Sequence, residues 1–433
     1  MYKKIAHQKR LYMAFLVILL FLFQYLYADR LTTNRIIQFL ITDISLVSFI
    51  FIFHGFELDT LKSRNAVLIS TILGSFLGVL VGMFCIILVF GAERDVYRNE
   101  FIATTLAASL AIPILSVLYY RMVLGKIPSM HCIVIGDEAT YGSLLAEVEE
   151  SSQGKIIISQ WAPSAAEAQS LFKDIGHQVI IIANLQLFRE LSVDVYQLEK
   201  KGTQKFYITE VVEDWLYRIP LTIAEEYKDY YEIFFNQTPI SQEKRIMDIV
   251  FGLVMGIIAS PFILVFGILV VLNSGFPVIF KQKRVGLYEQ NFMFYKIRSL
   301  KEDKQLENSA NPNGTITQRI TLVGKILRKT RIDEFPQFVN ILNGTMSVVG
   351  PRPEMGIYHD KWKEEIPFYG FRTMVRPGLT GWAQINYGHT TSLEEYIRKT
   401  EYDLYYVKNK SLSFDIQIMM KTVETFLGMK GGK

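Results

Sequence analysis

The sequence predicts a membrane protein in three parts. Residues 1–126 read as four transmembrane helices forming an N-terminal bundle, 127–240 as a small, degenerate Rossmann-like α/β domain, and 276–433 as an α-rich (α+β) domain. A long apolar helix over 241–275 ties the last part to the membrane. Half of the 433 residues are hydrophobic and the mean hydropathy is +0.22, high for a soluble chain. That excess is concentrated in the first 125 residues and in 246–272. Between these blocks, short β-branched runs alternate with segments of helical pattern.

Four apolar stretches, near 11–28, 36–56, 66–90 and 101–124, approach the roughly 20 residues that cross a bilayer core. The first, LYMAFLVILLFLFQYLYA, has the look of a signal peptide. No small-residue cleavage site follows it and three more spans come after, so a retained helix is expected. Lys3, Lys4, Lys9 and Arg10 precede it, which favours a cytoplasmic N-terminus. Four crossings then return the chain to the cytoplasm near Arg121 and Lys126.

In 130–215 the runs HCIVIGD, KIIIS, HQVIIIAN and KFYITEVV read as strands of a parallel layer. The first turn, IGDEATYG, lacks the GxGxxG spacing that lets a backbone approach a pyrophosphate. A structural or regulatory domain, dispensable for chemistry, is therefore expected there, with residue 240 as the start of the working unit. A net charge of +4 gives no sign of nucleic acid as a partner. Cys85 and Cys132 are isolated and the six His are scattered, which excludes a disulfide framework and a His-ligated metal site.

Residues 244–275 read KRIMDIVFGLVMGIIASPFILVFGILVVLNSG. As one helix, the apolar part is about 40 Å long, enough to span. Ser260-Pro261 lies midway, and proline removes a backbone hydrogen bond and clashes with the preceding turn, so a bend is expected. Two readings stay open: a span, or a bent helix that enters and leaves on one side.

The densest chemistry lies in RKTRIDEFPQFVNILNGTMSVVGPRPE, residues 328–354. Pro336 suits the first turn of a helix, which puts Asp333 at or near an N-cap and Glu334 in the first turn. Asp333 is then either a capping residue or a carboxylate held ionised for chemistry. Arg328, Lys329 and Arg331 precede the pair, Arg352 follows in GPRP, and Lys296 and Arg298 lie in FMFYKIRSL. Such cations form a solvated basic face or a phosphate site; arginine's planar fork suits phosphate oxygens, and flanking prolines stiffen its backbone. VRPGLTGWAQIN (375–386) adds glycine turns suited to close approach to a ligand and places Gln384 among the substrate-contacting candidates. Together these features describe a site for a phosphorylated anion at a membrane surface, with two carboxylates able to hold a divalent cation.

Residues 244–425 resemble the bacterial sugar transferase family, the polyprenyl-phosphate hexose-1-phosphate transferases or monotopic phosphoglycosyl transferases. The resemblance runs through KRIMDIV, RVG (284–286), FYKIRSL (294–300), RITLVGKILRKTRIDEFPQFVNILNGTMSVVGPRP (319–353), RPGLTGWAQIN (376–386) and YDLYYVKNKSLSFDIQIMMKTV (402–423). It implies transfer of a sugar-1-phosphate from a UDP-sugar to polyprenyl (undecaprenyl) phosphate, with UMP released, as in the initiation of exopolysaccharide, capsule or O-antigen assembly. By the family pattern Asp333 is the nucleophile that carries a covalent phosphosugar, Glu334 holds Mg²⁺, and Arg328 and Arg352 contact phosphate. The resemblance also implies a re-entrant 241–275 helix bent at Ser260-Pro261. It places the chain in the bacterial inner membrane, against lipid, with its catalytic domain on the cytoplasmic face. Where the family commonly reads SLDELPQL this chain has RIDEFPQF, and Arg331 brings a charge with no assigned role.

Competing readings are a non-catalytic scaffold or regulator of polysaccharide assembly, a nicotinamide enzyme using the middle domain, and a glycosyltransferase that releases UDP. An inactive homologue is expected to lose Asp333, Glu334 or Arg352, and all three are present. The identity of the sugar and the oligomeric state, a homo-oligomer included, are not encoded in these motifs.

Overall fold

The structure, a computed structural model, describes residues 2–27, 32–52, 64–90, 98–124, 128–173, 179–236, 241–300, 320–388 and 392–426. The chain forms two compact units, Met1–Leu216 and Tyr217–Lys433. The second therefore begins at Tyr217, well before the boundary at 240 that composition suggested.

In the first unit, α1 (Tyr2–Tyr27), α2 (Thr33–Ile52), α3 (Arg64–Phe90) and α4 (Arg98–Tyr119) share one apolar cluster that includes Leu16, Leu46, Val79 and Ile112. Three stretches are long and apolar enough to cross a membrane: Thr33–Phe51 in α2, Ser70–Ile87 in α3, and Leu106–Val123, which runs from α4 into the turn that follows it. The apolar part of α1, Arg10–Leu26, is shorter. Gly78 lets α3 approach α2 closely, since a Cβ there would lie 2.5 Å from Leu46 Cα. A buried polar link, not anticipated from hydropathy, joins three helices: Gln24 Nε2 donates to Asp43 Oδ1 (3.0 Å) and Thr104 Oγ1 (3.2 Å). Arg121 lies in a π turn, Tyr120–Leu124, and Lys126 falls outside the described residues.

The rest of this unit is the expected parallel layer. β1 (Met130–Ile135), α5 (Glu138–Ser152), β2 (Ile156–Ala162), α6 (Ala165–Phe172), β3 (Val179–Ile182), α7 (Leu185–Glu190), α8 (Ser192–Lys200), β4 (Lys205–Tyr207) and α9 (Ile208–Leu216) follow in order. All strand pairs are parallel, in the order β2-β1-β3-β4. That order is flavodoxin-like, not the 3-2-1-4 of a dinucleotide half-fold. Asp137 and Glu138 occupy the start of α5, where two carboxylates oppose any bound anion.

The second unit opens with α10 (Leu221–Glu226) and α11 (Lys228–Asn236), then α12 (Gln242–Ser274). A hairpin of β5 (Ile279–Val285) and β6 (Asn291–Ile297) follows. Next come α13 (Leu322–Thr330), a 3₁₀ turn (Ile332–Gln337), α14 (Phe338–Leu342), β7 (Ser347–Val349) and α15 (Gly356–Glu365). A second 3₁₀ turn (Tyr369–Met374), β8 (Gly378–Thr380), α16 (Trp382–Asn386), α17 (Leu393–Asn409) and α18 (Leu412–Phe426) complete it.

Helix α12 organises this unit. Ser241 caps it through Lys244 N (3.3 Å), and Gly275 ends it with φ +74, a conformation that favours glycine. It runs through Ser260-Pro261 as one helix, and Ser260 Oγ donates to Ile257 O (2.9 Å). Lys244 and Asp248 of its first turns point into the protein, whereas Glu243 is exposed. Lys244 Nζ meets Asp415 Oδ2 at 2.5 Å and Val349 O at 3.0 Å, and Asp248 Oδ1 accepts from Ser347 Oγ and Val348 N. Gly252 and Gly256 make room for Leu342 and Phe338, and Val270 packs with Ile297 and Leu327. The soluble part of the unit thus lies against α12 from its first turn to its last.

Candidate active site

The carboxylate pair owes its place to a local break. Thr321 caps α13 by accepting from Gly324 N (2.8 Å), and a Cβ on Gly324 would fall 2.0 Å from Ser299 O, so only glycine fits. The helix stops at Arg331, which is left-handed at φ +54, an unusual conformation for a side chain other than glycine or asparagine. That residue gives Arg331 a role the sequence did not assign: it turns the chain from α13 into the 3₁₀ turn. Asp333 and Glu334 occupy the first turn that follows. Asp333 is therefore not the N-cap, because Arg331 holds that position and caps without a side-chain bond. At about 120° per residue, a 3₁₀ turn sends the two carboxylates in different directions.

Strand β6 supplies the facing cation. Asn340 Nδ2 donates to Met293 O (2.7 Å) and its Oδ1 accepts from Tyr295 N (3.3 Å), fixing the strand edge beside Lys296. Lys296 Nζ lies 2.9 Å from Glu334 Oε1 and 3.9 Å from Asp333 Oδ2. Arg352 Nη2 reaches the same Glu334 Oε1 at 3.2 Å. Among the described residues, Asp333 accepts no hydrogen bond on its carboxylate, and Glu334 takes both cations on Oε1, leaving Oε2 without one.

The electrostatics divide the pair. Burial opposes ionisation of Glu334, but Lys296 and then Arg352 outweigh it and hold its carboxyl down at about 2. Burial dominates at Asp333 and pushes its carboxyl up, against the pull of Lys296, Arg328 and Arg352. The low value expected from a helix terminus is not found there. Burial also pulls the Lys296 ammonium down.

Arg352 sits on a built loop. Arg372, itself buried, donates from Nη2 to Arg352 O (3.1 Å) and from Nε to Asp403 Oδ2 (2.7 Å). Arg284 Nη1 donates to Pro353 O (3.0 Å), and Lys399 pairs with Glu354 at 2.7 Å. The glycines of GPRP and RPGLTG serve each other, not a ligand. A Cβ on Gly350 would lie 2.2 Å from Arg376 O, one on Gly378 2.1 Å from Gly350 N, and Gly350 N donates to Thr380 O at 2.9 Å.

A cavity of about 500 Å³ opens beside Glu334. Lys329, Thr330, Arg331 and Gln384 line its polar side, and Phe251 and Met255 of α12 line its apolar side with Phe335, Ile385 and Met419. Gln384 lines the cavity, where its Nε2 donates one N–H to Leu379 O (3.3 Å). Arg328 is exposed at the end of α13, close enough to lower the Asp333 pKa. Arg298 is the misplaced candidate. It is buried, and donates to Ser274 O (2.5 Å), Phe276 O (2.9 Å) and Gly275 O, closing the C-terminal end of α12. It is a helix cap, not a phosphate ligand. Asn340, Arg372 and Asp403 carry no signal of their partners in the sequence: Asn340 and Arg372 lie outside any charge cluster, and Asp403 is one of several charges in EEYIRKTEYD.

The second unit thus sets an apolar helix, two adjacent carboxylates and a cationic loop around an amphipathic cavity that Glu334 lines, the layout of a phosphate-handling membrane protein. Residues 240–429 match the bacterial sugar transferase family. The chain is 43% identical over 184 residues to the UDP-N-acetylgalactosamine-undecaprenyl-phosphate N-acetylgalactosaminephosphotransferase of Aeromonas hydrophila, covering 42% of this chain and 43% of the relative. It is 39% identical over 194 residues to the UDP-glucose:undecaprenyl-phosphate glucose-1-phosphate transferase of Escherichia coli, covering 43% and 41%. A Caulobacter vibrioides protein of that same name is 35% identical over 192 residues, covering 43% of this chain and 71% of the relative. The chain belongs to the bacterial sugar transferase family, and it spans less than half the length of the first two relatives.

Proposed function

We propose that this protein transfers a sugar-1-phosphate from a UDP-sugar to polyprenyl phosphate at a bacterial cytoplasmic membrane, releasing UMP and starting a repeat unit of exopolysaccharide, capsule or O-antigen. The observation that carries this reading is the inequality of the dyad: Glu334 is clamped by two cations while, among the described residues, the Asp333 carboxylate accepts no hydrogen bond. A nucleophile must be unencumbered, and its neighbour must hold charge in place.

In the first step an Asp333 oxygen bonds to the β-phosphorus. The bond from that phosphorus to the oxygen bridging the α-phosphate breaks, and UMP leaves with the electron pair. In the second, a phosphate oxygen of the polyprenyl phosphate bonds to the same phosphorus and the carboxylate departs, giving polyprenyl-diphosphate-sugar. Arg352 and Lys296 offset the negative charge gathered there, with Arg328 at the rim.

The residues present fit Mg²⁺ in the mode it favours, one or two carboxylates completed by substrate phosphates. Among the described residues no cluster of three or more His, Cys, Asp or Glu exists, so an all-protein cage is not the model for it. Glu334 Oε2, with Asp333 beside it, would hold the ion, which supplies charge neutralisation on the pyrophosphate.

Helix α12 is read as re-entrant, both ends cytoplasmic. Its first turn is tied to Asp415 and Val349 and its last carbonyls to Arg298, all within one domain. A crossing helix would need those polar partners on both sides of the bilayer.

The test is a panel of UDP-sugars with undecaprenyl phosphate and Mg²⁺, scored for released nucleotide. UMP, together with a phosphosugar mass on the Asp333 peptide when acceptor is withheld, is the expected result. UDP as product, or full turnover by Asp333→Asn, overturns the reading.

A further inference from the structure

Residues 217–236 precede the segment that matches the family, yet they fold with it. Ile219, Ile223, Tyr231 and Phe235 are at most 1% exposed, and the Phe235 ring packs on Phe371 at 5.1 Å. Trp382 Nε1 donates to Tyr217 O at 2.8 Å.

The polar centre of this strap is a single carboxylate, Glu401 of α17. Its Oε2 pairs with Arg218, its Oε1 accepts from Leu221 N (3.1 Å), and its carbonyl accepts from Ile219 N (3.1 Å). The Arg218 and Glu401 side chains are 4% and 8% exposed. Arg398 Nη1, more open, lies 3.6 Å from Glu401 Oε2.

The far side of the same helix holds the arginine loop. At about 100° per residue, positions 399 and 403 share a face and 401 points to the opposite side. The contacts follow that geometry: Lys399 pairs with Glu354, and Asp403 pairs with Arg372, which donates to Arg352 O. Helix α17 is therefore held from the strap on one side and holds the Arg352 loop on the other.

We propose that Arg218 is a positioning residue for Arg352, setting through Glu401 and α17 where the Arg352 guanidinium meets Glu334. Three donors from Arg218, Ile219 and Leu221 converge on one residue, which fixes α17 both along and around its axis. Without Arg218, Glu401 keeps the Leu221 N–H and, as its cation, only the half-open Arg398, and a buried carboxylate so poorly compensated draws water or shifts its helix. Asp403 and Arg372 move with it. This proposal rests on the transferase reading above.

The test uses the full chain in detergent, with UMP release at saturating and limiting UDP-sugar. Arg218→Gln is expected to lower kcat/KM about tenfold, and Arg218→Lys, which keeps the charge but loses the planar fork, by less. In single turnover on an Arg352→Ala background, adding Arg218→Gln should change the rate by less than about twofold, because no guanidinium remains to be placed. Glu401→Gln, which needs no buried cation, should show the same non-additivity and guards against an Arg218→Gln variant that does not fold. Fully additive losses in both double variants, or wild-type kcat/KM in a folded Arg218→Gln, overturn the proposal. A wild-type chain that releases no UMP defeats the transferase reading instead, separately from this one.

Discussion

The ammonium of Lys296 lies 2.9 Å from Glu334 and 3.9 Å from Asp333, so one cation serves two neighbouring carboxylates unequally. The closer carboxylate is pinned and stays charged, and the farther one is left to titrate.

That asymmetry sets a pH dependence. Burial raises the Asp333 carboxyl above the ordinary 3.8, so its ionised fraction falls away at a higher pH than that of an exposed aspartate. UMP release in a single turnover without acceptor should therefore decline, as pH falls, through an apparent pKa above 3.8. Because Lys296 pulls that value down, Lys296→Gln should move the acid limb to still higher pH. An acid limb that stays put in the variant contradicts the pairing.

Metal removal gives a second expectation. Excess EDTA should abolish turnover, with Mg²⁺ restoring it, and Glu334→Gln should lower turnover by at least about two orders of magnitude, since electrostatic stabilisation of this kind is worth several kcal/mol. Undiminished activity in EDTA would remove the metal from the reading.

Arg298 should behave as a cap. Arg298→Ala leaves the carbonyls of Ser274, Gly275 and Phe276 without their charged donor, at a cost of about 3 kcal/mol. Thermal unfolding should register it, while KM for UDP-sugar in the folded protein changes less than about twofold. A large KM effect at unchanged stability would restore Arg298 to the phosphate site.

Topology is open to labelling. In a chain with Cys85 and Cys132 replaced by Ser, Gln242→Cys and Lys281→Cys flank α12 at exposed positions. Both should react with an impermeant maleimide from the cytoplasmic side only. Labelling of the two from opposite sides means that α12 crosses.

The strap also moves the boundary of the working unit. A truncation beginning at 217 should fold and release UMP. One beginning at 241 strips Phe235 from Phe368 and Phe371 and leaves Glu401 without Arg218, so it should aggregate or melt early. Equal melting of the two by calorimetry would show that the strap is dispensable.

Much of this was legible in residue order. Asp333, Glu334 and Arg352 announced themselves through charge clustered around prolines, Lys296 through its place beside Arg298 in FMFYKIRSL, and the apolar helices through hydropathy alone. The misreadings share a cause: a residue type states its chemistry but not its partner. Arg298 has the fork that suits phosphate, and the structure uses that fork on three carbonyls. The glycines at 350 and 378 signal close approach, but not whether a ligand or another backbone does the approaching. Arg331 carries no mark of its left-handed backbone, and 217–236 has no motif, because its work is burial against residues more than 100 positions away.

Phe262, in the middle of α12, meets Phe335 of the carboxylate-bearing turn edge to face, 5.8 Å between centroids. With both helix ends fastened to the same domain, this contact makes the distance of the dyad from α12 a rigid property of the fold. A substrate whose phosphate floats at the headgroup plane and whose tail cannot leave the bilayer has little vertical freedom of its own. On the proposed function, enzyme and lipid would meet at one level because each is moored to the same surface, and a thicker or thinner bilayer would raise or lower the proposed nucleophile as a whole without reshaping it.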